Sequence, residues 1–187
     1  MSEGFLDALQ ASGPAPERAQ KMDLYGQFVG SWELRVTRFL EDGSIRERPG
    51  EWHFAWVLEG RAIQDVWIVP SRGGLRERTP RDQLYYGSTL RTYDPRIDAW
   101  HIQYTDPASQ TYSTMIGRAE GKDIVQIGTN SDGQTIRWSF RDISRDYFLW
   151  RGEISLDKGQ TWRKHVEFMA IPMKSMSLGL SPARAFG

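Results

Sequence analysis

The chain has 187 residues, about one domain at ~150 residues per domain. Lys plus Arg and Asp plus Glu both total 24, and a formal net charge of zero argues against a nucleic-acid binder that works through a broad basic surface. There is no cysteine, which removes disulfides, thiolate metal ligands and cysteine nucleophiles, while 39% hydrophobic residues are ample for a core.

The first ten residues carry Glu3 and Asp7 and no basic cluster, so they do not read as a secretory signal. No run of ~18 apolar residues occurs, so no membrane span is expected and a cytoplasmic location is the default. Phe5 to Ala11 suit a short helical turn, which Gly13, Pro14 and Pro16 end. Pro16-Glu17-Arg18 then opens a second helix over 17–26: proline tolerates the first turn, and Glu17 suits the positive helix end. Met22, Tyr25 and Phe28 or Val29 recur there at helical spacing.

From Trp32 the period changes to two. Trp32, Leu34 and Val36 alternate with Glu33, Arg35 and Thr37, as in a half-buried strand. The same texture predicts ten strands, at 31–40, 44–57, 61–69, 83–93, 99–105, 111–118, 123–129, 134–143, 147–155 and 161–171. Turn signals separate them, among them Asp42-Gly43, Glu59-Gly60, Asp94-Pro95, Asp132-Gly133 and Lys158-Gly159. Ten antiparallel neighbours in succession leave two long exposed edges unless the sheet closes. The expected fold is therefore all-β, an up-and-down antiparallel β-barrel, with a two-sheet sandwich as the competitor. The organisation expected is a helical extension and barrel plug over 1–27, the barrel over 28–171 and a tail over 172–187.

Successive connections alternate between the two rims. One rim receives 58–60, 94–98, 119–122 and 144–146, all five residues or fewer. The other receives the 13-residue segment 70–82. Pro49-Gly50 is expected to break the second strand and lengthen a further loop on that side. The helix over 17–26 precedes the first strand at the short-turn rim, where it can plug the barrel. The picture is a cup with a closed base and a loop-bordered mouth. The 70–82 segment is either a lid or a solvated insertion. Its Arg72, Arg76, Arg78 and Arg81 offer an anion site at the mouth, but Glu77 and Asp82 dilute that charge, which favours a solvated loop over anion binding.

Aromatic residues share single strand faces: Trp52, Phe54 and Trp56; Trp100, Ile102 and Tyr104; Trp138 and Phe140; Phe148, Trp150 and Ile154. Such walls hold planar apolar ligands, or simply fill the barrel. The expected wall contacts are Trp52, Trp67, Tyr104, Trp138 and Trp150. Asp65, between Ile63 and Trp67, is the expected polar anchor. A carboxylate on an apolar face is either a functional group with a raised pKa or the partner of an arginine. Lys164 lies in phase with Trp162 and Val166, and either enters the cup or snorkels outside. His53, His101 and His165 each lie opposite the stronger aromatic face of their strands, without metal-ligand spacing, so no metal is expected. No phosphate loop, dinucleotide turn or serine elbow is present, and no cofactor is expected.

Gly30-Ser31-Trp32 is a G-x-W motif opening the first strand. With Trp52-His-Phe-Ala-Trp56, Leu58-Glu-Gly-Arg61, Asp65-Val-Trp67, Thr92-Tyr-Asp94, Arg137-Trp-Ser-Phe140 and Ser155-Leu-Asp-Lys-Gly-Gln-Thr-Trp162, it makes residues 28–171 resemble uncharacterised bacterial lipocalin-like proteins of the calycin superfamily. The resemblance implies a fold rather than an activity: the wider superfamily mostly binds small apolar molecules, and some members have become enzymes. In lipocalins an arginine near the last strand covers the tryptophan of this motif. Here that strand ends Val166-Glu-Phe-Met-Ala-Ile171, without one. The leading expectation is a barrel that binds a small apolar or aromatic molecule. A second is a cofactor-independent isomerase, cyclase or hydratase in which Asp65 is the acid or base and Tyr85 orients substrate. An Asp65–arginine pair sealed in the wall would count against that enzyme. A third is a structural or interaction protein whose barrel is filled.

Overall fold

The computed structural model describes residues 3–174, apart from the side chains of Glu3 and Asp82. The chain opens with helix α1 (Glu3–Leu9), a 3-10 turn over Pro16–Arg18 and helix α2 (Ala19–Gly26). Ten strands follow: β1 (Gly30–Phe39), β2 (Ile45–Val57), β3 (Ala62–Val69), β4 (Tyr85–Asp94), β5 (Ala99–Asp106), β6 (Thr111–Glu120), β7 (Asp123–Asn130), β8 (Thr135–Ser144), β9 (Tyr147–Ser155) and β10 (Arg163–Pro172). The 70–82 segment carries the short helix α3 (Gly74–Glu77).

Each strand pairs antiparallel with its neighbours in sequence, and β1 pairs with β10, so the barrel is closed and has no free edge. The sandwich alternative is thereby set aside. Closure is registered over seven residue pairs, from Trp32 opposite Pro172 to Arg38 opposite Val166. The strict alternation of Trp32, Leu34 and Val36 aims one face of β1 inward. Trp32 in addition donates its indole N–H to the Phe28 carbonyl at 2.8 Å, which ties the G-x-W motif to the plug.

The short-turn rim is sealed as the strand parity implies. Met22, Tyr25 and Phe28 are fully buried beneath the barrel floor. Tyr25 meets Trp100 edge-on at 4.9 Å, and Phe28 stacks on Phe140 at 4.5 Å. Gly26 is required at the end of α2, because a Cβ there would collide with the Trp56 indole. The segment after α1 zips onto the β2–β3 turn through Leu58 N–H to Leu9 O and Ala11 N–H to Trp56 O, both 2.9 Å.

Two expectations need correction. β2 runs unbroken through Pro49-Gly50. The Pro49 carbonyl accepts from Ser71 N–H, so the missing proline N–H points toward β3, whose pairing with β2 stops at Glu51–Ile68. No ladder bond is lost there. β10 is bulged between Lys164 and Val166, which turns His165 inward beside Gly152, a position on the inner face. β10 runs to Pro172, which pairs with Trp32; of the expected tail, residues 175–187 lie outside the described residues.

Candidate functional site at the barrel mouth

The five expected wall residues all point inward and are all buried. They also touch one another. Centroid distances run 5.7 Å from Trp67 to Tyr104, 5.1 Å from Tyr104 to Trp138, 5.2 Å from Trp138 to Trp150 and 6.0 Å from Trp150 to Trp52. Phe168 packs against Trp52, Trp67 and Trp150 across the middle of the lumen. The central rings therefore fill much of the width that ten strands create, gaining the burial and edge-to-face contacts of a core.

Asp65 corrects the enzyme expectation. It forms an ion pair with Arg91, and neither side chain is exposed. The pair lies at the closed end, with the Arg91 guanidinium carbon 5.1 Å from the centroid of the Tyr25 ring and 5.7 Å from those of Phe54 and Phe140. A carboxylate committed to a guanidinium and sealed by the plug has no route to a substrate proton. It cannot anchor a ligand entering at the mouth either. Tyr85 stands four residues farther along the same two strands, about 13 Å away at ~3.3 Å per residue. The two proposed catalytic groups do not face one substrate.

The mouth is chemically distinct. Arg38, Arg46, Arg48, Val36, Val69, Gln83 and Tyr85 line a cavity of about 20 Å³ there, room for a water molecule. Its floor is a stack: Tyr85 lies parallel to Trp67 at 5.9 Å, and Trp67 lies nearly parallel to Tyr104. Its roof is the Arg38 guanidinium, 4.1 Å from the Tyr85 ring centroid. The Tyr104 hydroxyl donates to Asp106, and burial with that carboxylate holds its pKa far above the usual phenol range. Asp106 also accepts the amides of Tyr86, Ala108 and Ser109. Burial, with Arg38 and Arg163 nearby, pushes His165 down to about 4, so it is neutral at pH 7.

The three histidines occupy separate places. His53 and His101 are on the outer face, bonded to Glu51 and Asp94, while His165 is inside. Among the described residues no group of three His, Asp or Glu is placed to hold a metal ion. Lys164 is outside, 3.3 Å from Glu167 and over the Phe39 ring. Of the 70–82 arginines, Arg72 clasps Glu51 on the outer wall through its amide and side chain. That pairing holds the Glu51 carboxyl down at about 2. Arg76 donates to the carbonyls of Val69, Pro70 and Tyr85. These two arginines hold the segment down and are not arrayed for an anion. The mouth arginines that do gather come from the sequence positions 38, 46 and 48, which share one face in phase with Trp32 and Trp52; that phase was the available signal.

Comparison with protein-family models gave no match, and comparison with curated proteins gave none. Comparison with solved structures gave likenesses to Rv2717c from M. tuberculosis and to the S-type phycobiliprotein lyase CPES from Guillardia theta. The first is 15% identical with a TM-score of 0.57, covering 86% of this chain and 99% of the other. The second is 13% identical with a TM-score of 0.55, covering 87% and 99%. At these identities the likeness shows the shared barrel fold alone. No helix among the described residues is long and apolar enough to cross a membrane.

Proposed function

We propose that the protein is a small-molecule-binding barrel that takes a ligand with a flat apolar body at its mouth, on the Tyr85–Trp67–Tyr104 stack. The observation that carries this reading is the Arg38 guanidinium lying over Tyr85, a planar group on the outermost ring of a column that leads into the lumen. A half-exposed cation–π contact is worth only about 0.5–1 kcal/mol, so a flat ligand that buries more apolar surface can replace it. The sealed base leaves the mouth as the way in. The lipocalin-like resemblance supports the same use of the fold.

Filling of the central lumen favours a second reading, a purely structural barrel. Titration of intrinsic tryptophan fluorescence with small aromatic and fatty ligands separates the two. Binding at the mouth predicts a saturable change that is lost in Trp67→Ala; silence across a broad panel leaves the structural reading standing.

A further inference from the structure

We propose that the ligand carries an oxyanion, a carboxylate or a phosphate ester, which Arg38, Arg46 and Arg48 receive above the aromatic stack. This rests on the reading of the mouth as the ligand site and names the ligand's class. Arg38 and Arg46 stand directly opposite each other across β1 and β2, and Arg48 follows two residues on along the same face. Like charges placed opposite one another on a sheet are unfavourable. Eight other arginines, at 61, 72, 91, 96, 137, 141, 151 and 163, each have a carboxylate within ion-pair distance. Among the described residues none lies within that distance of Arg38, Arg46 or Arg48.

The polar atoms facing the mouth are short of acceptors. Arg48 Nε is a buried donor without a hydrogen-bond partner among the described residues, as is the Trp150 indole N–H deeper in the lumen; His165 Nδ1 is also unpartnered, and its role depends on the tautomer. Arg48 otherwise reaches only the Glu47 carbonyl and, at 3.5 Å, the Gln83 amide oxygen. Asp106, the acidic group on this rim that is fully buried, is committed to three amides and the Tyr104 hydroxyl. Glu41 on the same rim is exposed and pairs with Arg163. An oxyanion supplies several acceptor lone pairs to a guanidinium fork and relieves the repulsion among the three arginines. A flat body beneath it takes the place of the Arg38 guanidinium on Tyr85 and frees that guanidinium to join the anion.

The test is calorimetric titration with 2-naphthoate, 2-naphthyl phosphate and the neutral 2-naphthamide, using wild type, R46Q and R48Q with melting curves to verify folding. One or both anions are expected to bind about 10- to 100-fold more tightly than the amide, with an advantage that shrinks in high salt. Which of them binds identifies the headgroup. In R46Q and R48Q the advantage is expected to fall to within about threefold. Equal binding of amide and anions by wild type, or an advantage that survives both substitutions, overturns the anion assignment while the mouth remains a ligand site. Failure of all three compounds to bind at millimolar concentration overturns the mouth reading, and this assignment with it.

Discussion

Replacing Arg91 by methionine removes the partner of a carboxylate that has no access to water. Both side chains of the Asp65–Arg91 pair are fully buried, and Asp65 Oδ1 has no other partner among the described residues. Breaking such a pair on one side costs about 3–5 kcal/mol, a large part of the roughly 5–15 kcal/mol of a typical domain. With a urea m-value of ~2 kcal/mol/M, the unfolding midpoint moves down by about 1.5–2.5 M, read by tryptophan fluorescence. The double variant Asp65→Leu with Arg91→Met puts apolar groups among Tyr25, Phe54 and Phe140 and is expected within about 1 kcal/mol of wild type, or above it. Asp65→Leu alone strands Arg91 and is expected to cost a similar amount, so the coupling between the two positions exceeds either single cost. If R91M moves the midpoint by less than ~0.5 M, the pair is not a sealed structural contact, and Asp65 returns as a group able to do chemistry.

His165 sets an acid limit. Its pKa of about 4 in the fold, against 6.5 ordinarily, means that the unfolded chain takes up the proton first as the pH falls. Stability is intact above about 6.5 and is lost between 6.5 and 4, by about 2–3 kcal/mol after discounting for partial exposure. H165Q should flatten urea midpoints across that interval; a profile that overlays wild type would refute the assignment. Glu51 titrates lower, with a folded pKa of about 2 against 4.5, so its contribution is present above 4.5 and fades as the pH drops toward 2. E51Q should raise amide exchange at Ser71 and Arg72 by about tenfold with little global destabilisation. Unchanged exchange would mean that Arg76 alone pins the segment.

Much of the architecture is legible in the chain. The period-two alternation in β1 and the turn pairs such as Asp132-Gly133 place the strands, and counting connections separates the rims. Met22, Tyr25 and Phe28 mark the plug because their helical spacing precedes the first strand. The five aromatic wall residues follow from the same phase. What the phase does not contain is depth or occupancy. Trp52 and Trp150 read identically whether they border a hollow or touch Phe168, since that depends on the summed volume of side chains brought together from all ten strands.

The sequence by itself determined an all-β meander of ten antiparallel strands with one short-turn rim and one long-loop rim, because turn pairs and two-residue alternation are local rules repeated ten times, while the pairing of β1 with β10 that closes it is a long-range contact. Only the tertiary structure decided which arginine answers Asp65, that a bulge turns His165 into the lumen, and that Arg38, Arg46 and Arg48 crowd one aperture while Arg72 turns away to Glu51. Those outcomes depend on lateral register and on which arginines are brought within reach of a carboxylate, and both are properties of the assembled barrel.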